Sequence, residues 1–574
     1  MKYKVINIEK RDENYLINLL LNRNIKDYNS FLYPNKNNLC DYKLLDNIEE
    51  GYQFVENSKN KKIGLLIDCD ADGYTSAAVL YNYFMDMNLS QEIQCFFHSG
   101  KQHGLEDQFN KILDSDIEYL FIPDASSNDE EYHKMLSENG IKILVLDHHE
   151  AEKYSQYACV INNQLSKNYP NKDLSGVGVV YKFCQFLDEK NNTDFADKYL
   201  DLVAIGEIGD MMNMTSPENA YIFSQGLSNI VNPGLKALVK KQEFSIKNTD
   251  HLTPVDVSFY IAPLINAIIR VGTEAEKEIL FKSFVDGNKI VPSTKRGHKA
   301  GDTEILAEQN ARNCANARNR QNRLKDKAID LIDIEISNNN LAENKVLLVD
   351  VGDMEIDSNL TGLIAMNLAA KYKKPTLVLR DGLDNCIKGS GRGLELSELK
   401  DFKKFLNDSG FFEFNEGHAN AFGSSIKRNK ISQFLEYANQ KLSNVDFGEG
   451  YYSVDFEEDI EDEFLPQKVL QIGSRPDIWS GSNGNPEPLF AIKNIHLSQE
   501  DIQICGKKND TVRFIKNGIT FIMFKAEDFI SKISQKDFFQ IELIGTAIEN
   551  NWLGNINAEI IIKDYNISDI DLSF

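Results

Sequence analysis

The run Lys62–Asp68, KIGLLID, is short, continuously apolar and flanked by charge, and it leads directly into Asp68-Cys69-Asp70-Ala71-Asp72-Gly73 and then a helical stretch from Tyr74 to about Met87. An unbroken apolar run of this length reads as a strand buried on both faces, the pattern of a parallel sheet. The cycle recurs: Ile93–Phe97, Tyr119–Pro123 and Lys142–Leu146 read as further strands, with helical segments around 106–113 and 128–139. Strands alternating with helices predict an α/β domain with a mostly parallel sheet, and such sheets hold their ligands at the carboxyl ends of the strands.

The polar residues at those strand ends are chemically selective. Asp68, Asp70 and Asp72 put three carboxylates within five residues on a sharp turn, where they repel one another unless a hard cation is present. An Asx-rich turn or helix cap is the plain structural alternative. An EF-hand loop does not fit, because the twelfth position counted from Asp68 is Val79 rather than Glu, and because a strand precedes the loop. Asp147-His148-His149 follows the strand-like KILVL, and Asp124 follows YLFIP. Asp210 ends the helix-like run DLVAIGEIGD. Mixed carboxylate and imidazole ligands favour Mn²⁺ or a transition metal over Ca²⁺. Two ions about 3.5–4 Å apart activate water and stabilise in-line displacement at phosphorus.

The chain has 574 residues, a length that suggests about three to four domains, and its 42% hydrophobic and 26% charged residues are those of a folded protein. A formal charge of −24 excludes a diffusely basic surface. A local basic groove is still compatible with it. Between 295 and 327 nine Lys and Arg face four Asp and Glu, on a long polar helix expected to join two α/β domains. A second α/β pattern starts at Asn344–Val351 and continues through a helix near 358–371 and PTLVLR. After the acidic stretch 444–463 the tail alternates short β-type runs, which suggests a small barrel or sandwich. The eight Cys form no C-x-x-C pair, the N-terminus has no signal-peptide layout, and no run approaches about 20 apolar residues. A cytoplasmic protein is expected.

Taken in order, Asp68–Gly73, Asp124, Asp147–His149 and Asp201–Asp210 resemble motifs I to IV of the DHH phosphoesterases. Ile261-Ala262-Pro263 with Asn266, Ala267, Arg270 and Gly272 is similar to the P-x-x-N-A-x-x-R segment of RecJ, the 5′→3′ single-strand DNA exonuclease family. Asn316, Arg320 and Gln321 resemble its N-x-x-x-R-Q helix. Lys388–Arg392 and Gly417-His418-Ala419 resemble the DHH-associated domain, and Gly484–Pro488, Phe490 and Gly506–Lys508 its OB-fold. The resemblance implies an N-terminal helical extension (1–58), a DHH catalytic domain (59–234) and a connector with a long helix (235–340). It further implies a smaller α/β DHH-associated domain (341–443), an acidic linker (444–463) and an all-β OB-like domain (464–574).

It also implies roles. Asp70, Asp72, Asp124, His148 and Asp210 would bind two divalent cations, Mn²⁺ in preference to Mg²⁺, with Asp124 bridging them. Asp68 and Asp147 would support that site, and His149 would face the scissile phosphate. Lys101, Asn266, Arg270, Arg320, Gln321, Ser390, Arg392 and His418 would contact the strand. The expected activity is single-strand DNA hydrolysis from the 5′ end, in recombination, repair or replication. The expected partners are single-stranded DNA, and single-strand-binding protein or other replication and repair proteins. The alternatives are an oligonucleotide or cyclic-dinucleotide phosphodiesterase, and a non-catalytic single-strand-binding scaffold. Three stretches depart from the family pattern: Asp124-Ala125-Ser126 in motif II, Glu416 before Gly417, and His98–Leu105, where Lys101 is expected to stand in for an arginine.

Overall fold

The computed structural model describes residues 1–6, 14–89, 92–100, 102–382, 385–448, 451–480, 485–506, 508–552 and 555–569. The chain forms two compact units, one of Asp27–Gln321 with Pro476–Pro486, the other of Met1–Lys26, Asn322–Arg475 and Glu487–Phe574.

The first unit is built on a five-stranded, wholly parallel sheet. Its elements are β1 (Ile63–Ile67), α1 (Ala71–Asp86), β2 (Ile93–Phe97), β3 (Tyr119–Pro123), β4 (Lys142–Asp147) and β5 (Cys159–Asn162). The strand order is β2-β1-β3-β4-β5. Chain direction across the sheet therefore reverses between β1 and β3, the switch point where open α/β sheets leave a crevice at the strand ends. β1, β3 and nearly all of β4 are buried, as their unbroken apolar runs predict. β5, only CVIN, is too short to stand out from the sequence.

Around the sheet pack α2 (Gly176–Asn191), α3 (Leu200–Gly209), α4 (Ala262–Val271) and α5 (Glu274–Val285), with α1 lying against α2, α3 and α5. Two expectations change here. The helix Ile48–Ser58 is part of this core rather than an extension: Phe54 meets Tyr119 and Phe121 edge-on, and Gly51 lets the chain lie against Ile161 and Phe183. Nor is 235–300 a mere connector, since α4 and α5 lie in this unit against α1. Pro254–Val271 does reach 18 residues of mean hydropathy 1.3, and half of it is buried inside the protein.

The long helix α6 (Leu306–Asn338) is present as expected. Beyond it the second unit holds β6 (Leu347–Asp350), α7 (Thr361–Tyr372), β7 (Thr376–Asp381), β8 (Cys386–Arg392), β9 (Phe412–His418) and β10 (Ala421–Lys427). These strands form a sheet of order β9-β10-β8-β7-β6, parallel only between β6 and β7. The same unit holds β11 (Phe456–Asp459), β12 (Leu489–Ser498), β13 (Gln503–Cys505), β14 (Thr511–Lys516), β15 (Ile519–Phe524), β16 (Phe538–Trp552) and β17 (Asn555–Asp569). They form a seven-stranded sheet of order β11-β12-β16-β17-β15-β14-β13. It is not purely β, because helix Glu527–Ile533 lies between β15 and β16.

The acidic stretch is not a linker. Its Phe456–Asp459 is the edge strand β11, and Tyr451–Val454 pairs in parallel with an N-terminal strand, Lys2–Val5. The expected wholly helical N-terminus therefore opens in a sheet. Trp479 and Phe490 are both buried, so neither ring offers an open face for base stacking.

Candidate metal centre

Two strand ends, those of β1 and β3, deliver carboxylates to the switch point between them, and the end of β4 delivers His148 and His149. After β1 the chain turns tightly: Asp70 caps α1 by accepting Gly73 N–H at 3.0 Å. Any side chain at Gly73 would strike Asp68, its Cβ lying 2.5 Å from that of Asp68. After β3, Asp124 is held with φ +68°, a left-handed conformation uncommon outside glycine, and is 1% exposed. Gly176 makes room for it: a Cβ there would lie 2.3 Å from Asp124 Oδ1. Motif II thus keeps its carboxylate despite the altered turn, in which Ser126 also has positive φ.

Asp72 lies at the N-terminus of α2, where its carboxylate accepts Gly176 N–H at 2.7 Å, Val177 N–H at 3.0 Å and the Ser175 hydroxyl at 3.1 Å. A carboxylate offers about four lone-pair positions, so this leaves room for one further ligand. His148 Nε2 faces Asp124 Oδ1 and Asp210 Oδ2, each at 3.4 Å, and Asp72 Oδ2 at 4.0 Å. Ligand atoms of Asp72, His148 and Asp210 lie within 4.8 Å of one another, as do those of Asp68, Asp70 and Asp124, and of Asp124, His148 and His149. Asp124 belongs to two of these groups. Asp201, by contrast, is structural, its carboxylate accepting the N–H groups of Leu202, Val231 and Asn232.

Asp147 orients rather than faces the centre. Its Oδ1 accepts His149 Nδ1 and His148 N–H, each at 2.8 Å, and its Oδ2 accepts Ser127 N–H at 3.0 Å. Despite complete burial these donors hold Asp147 below the usual carboxylate range. Burial disfavours a charged His149, but its bond to Asp147 outweighs that and raises the ring to about 9. His148 is pushed down to about 4 by burial and by His149, so it is a neutral imidazole, the form that ligates metal.

The donor set fits divalent cations. Burial and then neighbouring carboxylates drive Asp72, Asp124 and Asp210 above their ordinary values. Asp68 Oδ1 and Asp124 Oδ1 are buried without a hydrogen-bond partner. Carboxylates so placed are costly unless a positive charge compensates them.

Sequence reasoning missed the groups behind this layer. His103 Nδ1 is 2.6 Å from Asp68 Oδ2, and His98 is buried beside it. The Asn162 amide donates to Ser127 Oγ and to the His149 carbonyl. Glu207 is buried, its Oε1 accepting Ser175 N–H. The one signal was position, since His98 and His103 fall in the stretch that departs from the family pattern.

The expected strand contacts separate. Lys101 lies outside the described residues. Asn266 and Arg270 remain partly accessible on α4, whose 261–270 stretch is otherwise buried except at Pro263. Arg320 is committed within the protein, donating to the Val271 carbonyl and pairing with Glu276 at 2.8 Å, and Gln321 is buried. Arg320 thereby braces α4 and α5. Within the basic stretch Arg312 grips Glu304 bidentately, and Lys295 and Lys325 also face acids.

In the second unit Ser390, Arg392 and His418 share one sheet face. Arg392 opposes Ala421, which opposes His418; Ser390 opposes Gly423, which opposes Glu416. Residues directly opposed across antiparallel strands point the same way, and so do alternate residues along a strand. The Gly389-Ser390-Gly391 segment is part of the central strand β8. Gly389 is required because a Cβ would lie 2.1 Å from the Val378 carbonyl. Side chains, not backbone N–H groups, are what this strand offers. Ser390 Oγ is 2.9 Å from Thr361 Oγ1 at the start of α7.

Known proteins resemble this chain in sequence and fold. The DHH family, N-terminal domain model matches residues 62–207, and the RecJ OB domain model matches 483–564. The SPbeta prophage-derived YorK of Bacillus subtilis (strain 168), named as a single-strand DNA-specific exonuclease, is 36% identical over 99% of this chain and 98% of its own. The single-stranded-DNA-specific exonuclease RecJ of the same organism is 25% identical, over 90% of this chain and 62% of its own. RecJ from Thermus thermophilus in complex with Mn²⁺ has the same fold, with TM-score 0.75 at 19% identity over 98% of this chain and 79% of that one. Matched end to end by YorK and in both diagnostic domains, the chain belongs to the RecJ-like single-strand DNA-specific exonucleases of the DHH family.

Proposed function

We propose that this protein is a divalent-cation-dependent exonuclease that degrades single-stranded DNA from its 5′ end. The observation that carries the reading is the gathering of Asp72, Asp124, His148 and Asp210 at the switch point, with Asp124 Oδ1 buried and unpartnered. Membership in a family whose relatives are named for single-strand exonuclease activity supports the substrate.

Asp70, Asp72, Asp124, His148 and Asp210 would hold two cations, with Mn²⁺ favoured over Mg²⁺ because an imidazole is among the ligands. Bound there, divalent cations supply Lewis acidity, making water a competent nucleophile near neutral pH and neutralising charge at phosphorus. The chain does the rest. Asp147 fixes His149 through Nδ1, which leaves Nε2 free to hold a proton toward a phosphate oxygen. Asn266 and Arg270 in the first unit, and Ser390, Arg392 and His418 in the second, would engage the strand. The OB domain would add contacts of low sequence preference. The eight cysteines are all free thiols, consistent with a reducing cytoplasm. Single-strand-binding protein or other replication and repair proteins are the proposed partners.

Product analysis on 5′- and 3′-labelled single strands with Mn²⁺, Mg²⁺ or chelator tests this. Short products released from the 5′ end only with added cation are expected. Release from the 3′ end, or strand binding without hydrolysis, would overturn the polarity or the enzyme.

A further inference from the structure

Behind the metal centre runs a chain of alternating carboxylates and imidazoles. Asp107 Oδ1 lies 2.5 Å from His98 Nδ1. His98 Nε2 lies 3.6 Å from Asp68 Oδ1, and both atoms are buried with no hydrogen-bond partner. Asp68 Oδ2 in turn lies 2.6 Å from His103 Nδ1. The inner end is anchored: Asp107 Oδ2 accepts from the Ser99 N–H, the Ser99 hydroxyl and the Gln108 amide, while Lys277 Nζ donates to the carbonyls of His98 and Ser99 at 3.0 Å. The outer end is open. The His103 side chain is 44% exposed although its carboxylate partner is 1% exposed.

This repeats what Asp147 does for His149. There too a buried carboxylate takes the Nδ1 proton of a ring that is half exposed, at 47%. The two rings stand with centroids 6.1 Å apart. Each carboxylate thus fixes its ring through Nδ1 and leaves Nε2 as the available atom, on neighbouring sides of one carboxylate-lined mouth. Among the described residues His103 Nε2 meets the Cys69 sulfur at 3.8 Å, a weak partner.

We infer that His103 is a second substrate-contacting imidazole of this centre, donating from Nε2 to a non-bridging oxygen of the 5′-terminal phosphodiester, with Asp68, His98 and Asp107 as its positioning residues. The inference rests on the exonuclease reading above. No bond is made or broken by His103; it supplies one directed hydrogen bond to an anion that must be held between the rings.

Wild type, Asp124→Ala, His103→Gln and His103→Leu are assayed with Mn²⁺ on single strands whose 5′-terminal linkage is phosphate, Rp-phosphorothioate or Sp-phosphorothioate. His103→Leu is expected to lower kcat on the phosphate linkage by about ten- to a hundredfold, with His103→Gln less affected. For one diastereomer the rate penalty of sulfur should shrink about as far in His103→Leu, because the replaced oxygen has already lost its donor. Asp107→Asn should reproduce part of that change and add nothing to His103→Leu in the double variant. Melting midpoint and bound manganese should match wild type. An unchanged kcat or unchanged sulfur penalty in natively folded His103→Leu overturns the inference, while Asp124→Ala remains inactive and the exonuclease reading stands. Loss of bound manganese overturns it differently, making His103 a ligand together with Asp68 and Cys69. Additive losses in the double variant overturn the positioning chain. If wild type leaves all three strands intact, the exonuclease reading fails and takes this inference with it.

Discussion

In the parallel sheet β2-β1-β3-β4-β5 the proposed metal-site residues follow the strands; in the sheet β9-β10-β8-β7-β6 the proposed strand contacts stand within them. The first arrangement buries them. Asp68, Asp72, Asp124 and Asp147 are each at most 1% exposed, and each is gripped by neighbouring backbone or by glycine-made space. The second leaves Glu416 and His418 exposed, with Arg392 half-buried where the start of α7 packs on the sheet. A site that must hold concentrated negative charge needs rigid, dry walls, and strand ends at a switch point supply them. The proposed strand-binding surface would need accessible groups at fixed spacing, and strand register supplies that.

Removing the centre's middle carboxylate breaks the comparison hardest. Asp124→Ala should lower hydrolysis by about 10³-fold or more, the loss of several kcal/mol of charge stabilisation, while strand binding persists. The check is a paired measurement of turnover and of fluorescence anisotropy with a labelled strand. Hydrolysis near wild type would reject the assignment of the centre.

Gly176→Ala comes next, and it tests the packed wall rather than the ligand. The new Cβ would lie 2.3 Å from Asp124 Oδ1 and 2.5 Å from its Cβ, so the carboxylate must move. Overpacking of this kind costs about 1–3 kcal/mol of stability. A displacement near 1 Å at a reacting centre can cost about 10²-fold in rate. Thermal unfolding and Mn²⁺-dependent turnover should both fall. Native turnover would mean that this wall yields without consequence.

The same contrast explains what could be read from the sequence. Motif residues after buried strands announce themselves, because an unbroken apolar run ending in DxDxDG or DHH is local in the chain. Hence Asp70, Asp72, Asp124 and His148 stand out as candidates, as do four of the five parallel strands, whereas Asp210 closes a helix and lacks that signal. Register-dependent features were not. Lys2–Val5 pairs with Tyr451–Val454, and nothing in either short segment specifies a partner so distant. β11 hides inside an acidic stretch because it is an edge strand, where charge guards against stray pairing. Gly389-Ser390-Gly391 looks like a loop because glycines that admit a close neighbouring strand have the same letters as glycines that turn a chain. Arg320 reads as a strand contact by its resemblance to the N-x-x-x-R-Q helix, and such a motif does not tell that Val271 and Glu276 already claim it.

On the open sheet the largest effect belongs to Arg392→Ala. A charge-assisted contact to a phosphate is worth about 1.5–3 kcal/mol, so affinity for a single strand should fall about ten- to a hundredfold. The slope of log affinity against log salt should shrink by about one. The centre lies in the other unit, so manganese binding should not change. Identical affinity and slope would take Arg392 out of the strand path.

The smallest effect is expected at Glu416, and its sign makes it useful. Glu416 opposes Gly423, which opposes Ser390, so its exposed carboxylate shares the face of Arg392 and His418. A negative group there repels a phosphate backbone but stands in water, where single charge interactions are worth little. Glu416→Gln should therefore tighten strand binding by only about two- to fivefold at low salt. The gain should fade as ionic strength rises, since screening removes interactions between exposed charges. Titrations of the variant and wild type at two salt concentrations decide it. Tighter binding that vanishes with salt places the strand over this face. A variant no tighter than wild type at low salt would place the strand elsewhere and leave Arg392 acting from its edge.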